Sequence, residues 1–363
     1  MNIFKHIPRL SRCYSTQSFK GDTIILSENY SPLNCKTMLE KDTISVLGYG
    51  PQGRSQSLNL RDNRHNVVLG LRKNGNSWHK AINDGWIQDK NLFSIDEATH
   101  KGTIIKYLIS DAAQIDQWNS VKANLRKNNT LYFSHGFGIH YKKYTNIIPP
   151  NDVNVIMVSP KCSGKTVRDN FLNGNGITSS FAIHNDYNDA FNKCMALAFA
   201  IGNNYVFETT FEKEVISDLT GERCILMGMI QAAFLAQYKV LRKNGHSPLE
   251  AYHETIEEAL TSLYPIINEN GMDWLYKNCS QTAQRGAIDW ANVFEPKLKP
   301  MIQECYDSVK NDTEIKRLIE CNETPDYQTI LQEELDAISE QEMWQIKQNL
   351  KRLNKNKWDG FLL

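Results

Sequence analysis

The sequence predicts two structural classes in one chain: an α/β domain with a mostly parallel sheet, followed by an all-helical domain. Between Thr43 and Phe211, short β-branched and aromatic runs alternate with polar amphipathic segments, which is the pattern of βαβ units with helices on both faces of a sheet. After Phe211 the strand-like runs nearly disappear and long helical patterns follow. A glycine-rich turn directly after the first run is a third indication, because such turns open nucleotide-binding helices.

The predicted α/β domain covers residues 22–210 and the helical domain covers 211–350. Strands are predicted, in chain order, at 44–50, 66–72, 103–110, 130–136, 153–160 and 205–211. Helices are predicted at 213–244, 247–264, 271–293 and 297–320, and a last amphipathic helix carries Leu331, Leu335, Ile338, Ile346 and Leu350 on one face. Ser247 and Glu250 begin the second of these helices with a capping box, and Tyr264-Pro265 ends it.

The composition excludes several classes of function. Lys and Arg number 41 among 363 residues and Asp and Glu also number 41, so the formal net charge is zero and no global field attracts nucleic acid. The longest uncharged apolar stretch, Cys224–Tyr238, has 15 residues, whereas a bilayer span needs about 20. The eight cysteines show no C-x-x-C spacing, so neither a zinc ribbon nor a redox pair is indicated. We expect no nucleic-acid partner and no membrane span.

Residues 1–21 are predicted to be a mitochondrial transit peptide. They contain four basic residues and no acidic one, they are rich in Ser and Thr, and their apolar residues recur at helical spacing. A secretion signal would instead need an uninterrupted apolar core of about 7–15 residues. The residues after Arg12 predict cleavage near Tyr14 or Ser15. The expected location is the mitochondrial matrix, and a merely disordered basic tail is the alternative.

The first predicted strand ends in the turn Gly48-Tyr49-Gly50-Pro51-Gln52-Gly53, and the following residues open a helix. The three glycines fit G-x-G-x-x-G, in which they permit a tight turn, the approach of backbone to a pyrophosphate, and close packing of helix on strand. Free N–H groups at the helix N-terminus then bind phosphate. The turn therefore predicts a Rossmann-like dinucleotide site made by Gly48, Tyr49, Gly50, Gln52 and Gly53, the alternative being a glycine-rich turn without a ligand.

The end of the second predicted strand indicates which dinucleotide binds. Arg72 stands 24 residues after Gly48, where an NAD site usually has an acidic residue for the ribose 2′-hydroxyl. A guanidinium there binds a 2′-phosphate through paired charge-assisted hydrogen bonds, and Ser77 adds a further donor. We therefore predict NADPH, while a solvated cation at the strand end remains the simpler alternative.

Two pairs of acidic residues, Asp218/Glu222 and Glu254/Glu258, stand four residues apart in predicted helices. This spacing places both carboxylates of a pair on one helix face. Oxygen ligands from two helices suit a hard cation such as Mg²⁺, and one carboxylate can bridge two ions. Acidic pairs with this spacing are also ordinary on solvated helix faces, so the pattern alone leaves both interpretations open.

Two polar residues follow predicted strands of the α/β domain. His135 ends the run LYFSHG, and Lys161 follows the run VIMVSP. Open α/β sheets bind ligands at the carboxyl ends of their strands. A single histidine in this place is more often structural, but the two residues together favour a functional site.

Together, these segments closely resemble the ketol-acid reductoisomerase (acetohydroxyacid isomeroreductase) family, in its mitochondrial, short-chain, fungal-like form. The resemblance covers residues 25–345 and is carried, in the order of the family, by GYGPQGRSQSLNLRD, LGLRKNGNSW, LYFSHGFGIHY, SPKCSGKTVR, SDLTGERCILMGMIQA, HETIEEA and SQTAQRGAIDW. Pro51 departs from the family pattern, which often has Ser or Ala there, and Gln284-Arg285 replaces the more usual Glu-Tyr.

The resemblance implies a knotted helical domain that dimerises, NADPH as cofactor and two Mg²⁺ ions in each active site. Asp218 would bridge the two ions, Glu222 would bind one, and Glu254 and Glu258 would serve the other. In short-chain members Glu254, Glu258 and Ser280 come from the partner subunit. The resemblance therefore implies a homodimer or a higher homo-oligomer.

The resemblance also implies the reaction and the catalytic residues. His135 and Lys161 would line the site, Glu258 would assist proton transfer, and Ser280 would bind the substrate. The reaction would be a Mg²⁺-dependent alkyl migration in 2-acetolactate or 2-aceto-2-hydroxybutyrate, followed by NADPH reduction to the 2,3-dihydroxy acid, in the synthesis of branched-chain amino acids.

Two other interpretations stay open at this point. One is a different NADPH dehydrogenase with a helical C-terminal domain, such as a 6-phosphogluconate or hydroxyisobutyrate type, which needs no metal. The other is a matrix protein that binds nucleotide without catalysis. The zero net charge and the intact set of acids with Lys161 argue against the second.

Overall fold

The computed structural model describes residues 16–358, and the chain divides into two compact units between Val215 and Ile216. This division lies five residues after the predicted domain boundary at 210/211. The transit peptide predicted for residues 1–21 lies outside the described residues except at its end, where Thr16–Phe19 form a strand.

The first unit contains a ten-stranded mixed sheet in the order β1-β2-β10-β9-β8-β7-β6-β3-β4-β5. The strands are β1 Thr16–Phe19, β2 Asp22–Leu26, β3 Ile44–Leu47, β4 Val67–Gly70, β5 Leu92–Phe93, β6 Ile104–Tyr107, β7 Thr130–Phe133, β8 Asn154–Pro160, β9 Ile177–Asn185 and β10 Asn203–Glu208. Strands β3 to β8 pair in parallel with one another, and so do β9 and β10. The pairs β1–β2, β2–β10 and β8–β9 are antiparallel.

Six of these strands coincide with the predicted runs, and β1, β2 and β5 lie outside them. Strand β9 was not predicted either. Its sequence ITSSFAIHN places Ser179 and Ser180 at its centre, and both side chains are buried in the sheet. Two hydroxyl residues interrupt the apolar pattern that marks a buried strand. The sheet is therefore larger than predicted, and its antiparallel part lies on the β9 side.

Helices cover both faces of this sheet, as the βαβ pattern predicts. They are α1 Pro32–Met38, α2 Pro51–Asp62, α3 Asn76–Asn83, α4 Ile95–Lys101, α5 Asp111–Asn124, α6 Phe137–His140, α7 Lys142–Thr145, α8 Gly164–Asn173 and α9 Ala190–Ala200. In the central strands, alternate residues enter one of two apolar clusters, since successive side chains point to opposite faces. In β6, for example, Ile104 belongs to one cluster and Ile105 to the other.

Helix α10, Phe211–Gly221, leads from the first unit into the second, which contains helices only among the described residues. They are α11 Gly228–Lys243, α12 Pro248–Tyr252, α13 Tyr264–Asn270, α14 Met272–Lys277, α15 Gln281–Lys310, α16 Thr313–Glu323, α17 Tyr327–Ser339 and α18 Glu342–Trp358, and π-helical segments lie at Glu222–Leu226, His253–Glu257 and Ala259–Leu263.

The capping box of Ser247 and Glu250 is present, but the predicted helix end at Tyr264-Pro265 is wrong. The chain stays helical to Asn270, and Pro265 lies in the first turn of α13, where a missing N–H costs little. Helix α15 likewise continues through Pro296 and Pro300, where the sequence predicted two helices.

The helical run Phe211–Lys243 is long and apolar enough to cross a membrane by length and composition alone. One such helix is weak evidence for a membrane span, because a buried core helix passes the same test. Within this chain only 17% of its most apolar window is buried, so much of its apolar surface faces outward.

Candidate functional site

A cleft of about 780 Å³ opens in the first unit at the carboxyl ends of β3, β4 and β6. Its walls come from the glycine turn after β3, the segment after β4 and the segment after β6. The predicted cofactor residues Gly48, Tyr49, Gly50, Arg72 and Ser77 all lie on these walls. This edge of a parallel sheet is where open α/β folds bind nucleotides.

The backbone of the glycine turn fits a pyrophosphate. Gly48 has φ +104°, and a Cβ there would lie 2.5 Å from the Leu108 carbonyl oxygen. A Cβ on Gly53 would collide with the Gly48 carbonyl, whereas a Cβ on Gly50 would meet open space. The space beside Gly50 and the N-terminus of α2 together form a cradle that approaching phosphates can enter.

Tyr49 lies on the cleft wall, but its hydroxyl forms hydrogen bonds with Asp84 and Trp86. It donates to Asp84 at 2.8 Å and accepts from the Trp86 indole at 2.9 Å. Arg54 binds both oxygens of Asp84, at 2.6 and 2.8 Å, and burial raises the pKa of Tyr49. These hydrogen bonds fix the Tyr49 side chain and with it the backbone of the turn.

The predicted residue Gln52 also uses its side chain inside the protein. Its Nε2 donates to the Cys162 carbonyl at 3.1 Å, and its Oε1 accepts from Gln56 at 3.0 Å. Arg72 and Ser77, in contrast, are exposed on the cleft wall, and neighbouring Lys73 lies 3.6 Å from Glu97.

A second polar group of the first unit surrounds Glu214, whose side chain is 1% exposed. One carboxylate oxygen lies 3.1 Å from His135 Nδ1 and accepts from the Gly136 N–H at 2.7 Å. The other accepts from Ser159 Oγ at 2.6 Å and from Lys161 Nζ at 3.2 Å. Both sequence-predicted residues, His135 and Lys161, therefore bind one buried carboxylate.

Glu214 stays ionised at neutral pH. Burial by itself would raise its pKa, but His135, the Lys161 ammonium and the Ser159 hydroxyl lower it to about 2. Gly136 lets α10 come this close, because a Cβ there would collide with the Phe211 carbonyl. A carboxylate so enclosed fixes the cations and donors around it.

Sequence reasoning missed Glu214 although a signal was present. Glu214, Asp218 and Glu222 follow one another at intervals of four, which places three carboxylates along one face of a predicted helix. The pair Asp218/Glu222 alone does not reveal that the same face continues to Glu214.

The proposed metal ligands belong to the second unit. Asp218 lies on α10 and Glu222 begins the first π-helical segment, and both are half-buried. Glu254 lies in the second π-helical segment and Glu258 follows it, and both are exposed. Such π segments often occur at functional sites. Oxygen donors of this kind fit Mg²⁺, although in the described part of this single chain Glu254 and Glu258 join no group of three ligand residues.

Ser280, the predicted substrate residue, caps α15. Its hydroxyl accepts from the Ala283 N–H at 3.2 Å, and the residue is exposed. The Ser280 side chain is therefore exposed at the surface of this chain, like the side chains of Glu254 and Glu258.

A dinucleotide cleft on a Rossmann-like sheet, together with a helical second unit, defines the class of nicotinamide-dependent oxidoreductases. Family models match both parts: the acetohydroxy acid isomeroreductase NADPH-binding domain at residues 38–206 and the ketol-acid reductoisomerase C-terminal domain at 211–356. The chain belongs to the ketol-acid reductoisomerase family, as the sequence segments predict.

Several known proteins are similar over most of the chain. The mitochondrial ketol-acid reductoisomerase of Saccharomyces cerevisiae is 52% identical over 86% of this chain and 80% of its own length. A relative from Desulfosudis oleivorans, named ketol-acid reductoisomerase (NAD(+)), is 50% identical over 91% of this chain and 95% of its own. The solved structure of an NADH-preferring ketol-acid reductoisomerase from an uncultured archean aligns with TM-score 0.81 and 29% identity, over 91% of this chain and 98% of that one. The predicted fold class is confirmed.

Proposed function

We propose that the chain converts 2-acetolactate or 2-aceto-2-hydroxybutyrate into the 2,3-dihydroxy acid, by a Mg²⁺-dependent alkyl migration and a reduction with NADPH. The observation that carries the proposal is the cluster of Glu214 with His135, Ser159 and Lys161, here called the Glu214 centre. It orders His135 and Lys161 in the same unit as a cleft built for a dinucleotide.

Arg72 supports NADPH in preference to NADH. Its guanidinium stands exposed at the cleft wall together with Ser77, and no carboxylate precedes it at the end of β4 to bind a ribose 2′-hydroxyl. A relative with NAD(+) in its name is 50% identical to this chain, so the preference for NADPH is argued from Arg72 and Ser77 and not from similarity alone.

The acidic residues would hold two Mg²⁺ ions. Asp218 would bridge the ions, Glu222 would bind one, and Glu254 and Glu258 would bind the other. When bound, the ions polarise the carbonyl and hydroxyl oxygens of the substrate, and NADPH supplies the hydride.

The residues of the chain position the substrate and move its proton. Glu214 holds the Lys161 ammonium, which donates to a substrate oxygen as negative charge develops there. The same carboxylate sets the orientation of the His135 ring. Glu258 assists the departure of the hydroxyl proton, and Ser280 binds the substrate.

The second unit supports a homodimer. In α15, a helix of 30 residues, Val309 is the one buried residue among those described. Trp290, Phe294 and Met301 on this helix are 60%, 55% and 64% exposed. Apolar surface of this extent on a helical domain marks an interface, and a partner there would bring Glu254, Glu258 and Ser280 to the active site.

The mitochondrial matrix is the proposed location. Cleavage near Tyr14 or Ser15 leaves the edge strand β1 whole, whereas a cut after residue 21 would remove it. The closely similar Saccharomyces relative is named as mitochondrial.

The proposal is tested with protein beginning at Ser15, given 2-acetolactate and followed by NADPH absorbance. We expect oxidation with Mg²⁺, none with EDTA, and poor activity with NADH. Activity that survives EDTA would favour a metal-independent dehydrogenase, and NADPH binding without turnover of either acetohydroxy acid would reject the activity.

Arg72→Ala should raise the KM for NADPH about 10–100-fold, because it removes charge-assisted hydrogen bonds. The KM for NADH should stay nearly unchanged. Lys90→Ala, at an exposed lysine outside the cleft, is the matched control, and an equal change for both cofactors in Arg72→Ala would contradict the assignment of NADPH.

A further inference from the structure

Two glutamines of α2 connect the nucleotide-binding helix with two loops. Gln56 is fully buried, and its Nε2 donates to Gln52 Oε1 at 3.0 Å and to Ser134 Oγ at 2.9 Å. Gln52 Nε2 in turn donates to the Cys162 carbonyl at 3.1 Å. A continuous chain of side-chain amides thus runs from α2 to the loop after β7 and to the loop after β8.

The orientation of these amides is determined by their partners. The Tyr132 hydroxyl donates to Gln56 Oε1 at 3.0 Å, so this atom is the acceptor and both N–H groups of Gln56 are used as donors. The ring of Tyr132 is itself held in the core, with Lys106 Nζ 3.8 Å from its centroid. Buried networks in which every group has a partner are rigid and specify one arrangement.

The two loops carry the residues that bind Glu214. Ser134 directly precedes His135, and Cys162 directly follows Lys161. Glu214 holds the two side chains from α10, while Gln56 and Gln52 hold the neighbouring chain from α2. His135 and Lys161 are therefore fixed from two directions, one of them the helix that receives the cofactor.

We propose that Gln56 is a positioning residue that holds the His135 and Lys161 loops in register with the cofactor-binding helix, acting through Ser134 and through Gln52. The inference rests on the proposed function, since that function assigns these groups to one reaction. A displacement of about 1 Å in an active site can cost 10²-fold in rate, so even a small shift of either loop has a large effect.

Gln56→Met tests the proposal, because methionine keeps the length of the side chain and removes its hydrogen bonds. We expect the Kd for NADPH, measured by fluorescence without substrate or Mg²⁺, to stay within about threefold, since Gln56 is buried beneath the cleft. The kcat should fall about 10–100-fold. Hydrogen exchange of NADPH-free protein should rise in peptides covering 132–140 and 160–167. Unchanged exchange in both, or an equal rise throughout the first unit, would overturn the proposal.

Gln52→Met removes the bond to the Cys162 carbonyl and the acceptor of one Gln56 bond, while the bond from Gln56 to Ser134 stays. It therefore tests the two loops separately, even if Gln56→Met fails to fold. Exchange should then rise in 160–167 while 132–140 stays as in the unaltered protein, and an equal rise in both would overturn the proposal. Ser57→Ala is the control, because Ser57 is buried on the same helix and bonds to the Arg54 carbonyl within it. An effect of Ser57→Ala equal to that of Gln56→Met would also overturn it.

Failure of the inference and failure of the proposed function give different results. A protein that binds no NADPH contradicts the function, yet the exchange experiment without nucleotide still measures the links. If the protein binds and oxidises NADPH but hydrogen exchange in 132–140 and 160–167 does not change in Gln56→Met, only the inference is contradicted.

Discussion

The two units bury their apolar residues to different extents. In the first unit every residue of β3, β6 and β7 is buried, and helices cover both faces of the sheet. In the second unit a small cluster around Tyr252 and Met343 is buried, whereas α15 exposes Trp290 and Phe294. The first unit completes its core within one chain, whereas the second leaves large apolar side chains of α15 exposed.

The difference extends to the functional groups. Glu214 has its partners within the first unit and 1% of its side chain exposed. Glu254, Glu258 and Ser280 lie at the surface of the second unit. The cofactor cleft and the partners of Glu214 thus lie within the first unit, whereas the proposed ligands Glu254, Glu258 and Ser280 stay exposed.

The largest effect is expected from Glu214→Gln, which keeps the shape of the side chain and removes its charge. Lys161 and His135 lose the charge that holds them, so kcat should fall roughly 10²–10⁴-fold. The Kd for NADPH should change little, because the cleft is intact. Steady-state kinetics at saturating substrate measures kcat, and fluorescence titration measures the Kd for NADPH.

Glu212→Gln, on the exposed side of the same helix, is the matched control for Glu214→Gln. A variant Glu214→Gln with nearly full kcat would show that the centre is structural only, and the proposed role of the first unit in catalysis would be lost.

An intermediate effect is expected from Trp290→Asp in the second unit. A charge on the exposed apolar face of α15 should weaken the proposed homodimer about 100-fold, the size of an interface hot spot, and activity should become dependent on protein concentration. Sedimentation velocity measures the association. Leu172→Asp, the control, places the same charge on an exposed leucine of the first unit and should leave the association unchanged. Equal effects of the two variants on the association would show that the two units do not differ in this respect.

The smallest effect is expected from Lys106→Met in the core of the first unit. Lys106 is fully buried, its Nζ has no hydrogen-bond partner among the described residues, and burial lowers its pKa well below the ordinary value. Replacing it by an apolar side chain of similar length should raise the free energy of unfolding by roughly 1–3 kcal/mol at neutral pH.

The pH dependence of this gain has a defined sign. Because burial lowers the native pKa of Lys106, the unfolded chain binds more protons than the native chain between that lowered pKa and the ordinary lysine pKa. The unaltered protein therefore gains stability as the pH rises through this window. The advantage of Lys106→Met should therefore be larger at pH 7 than at pH 9, as urea unfolding at both values would measure. Exposed Lys122→Met should show no such trend, and an advantage that grows with pH would contradict the lowered pKa of Lys106.

The features that the sequence predicted correctly are local ones. The glycine turn, the capping box of Ser247 and Glu250, and six strands were each marked by residues within one turn or one run. The strand β9 was missed because Ser179 and Ser180 look polar until the sheet encloses them. The predicted helix end at Pro265 was wrong because a proline in a first turn starts a helix as readily as it ends one.

The sequence by itself determined the fold class, the nucleotide turn and the family, because each is written in short-range spacing. Only the tertiary structure decided which groups meet. Glu214 joins His135 across 79 residues and Lys161 across 53, and Gln56 reaches Ser134 across 78. Such pairs leave no periodic trace in the sequence, since their spacing depends on the order of strands in the sheet, and their polar side chains become partners only when burial removes water from around them.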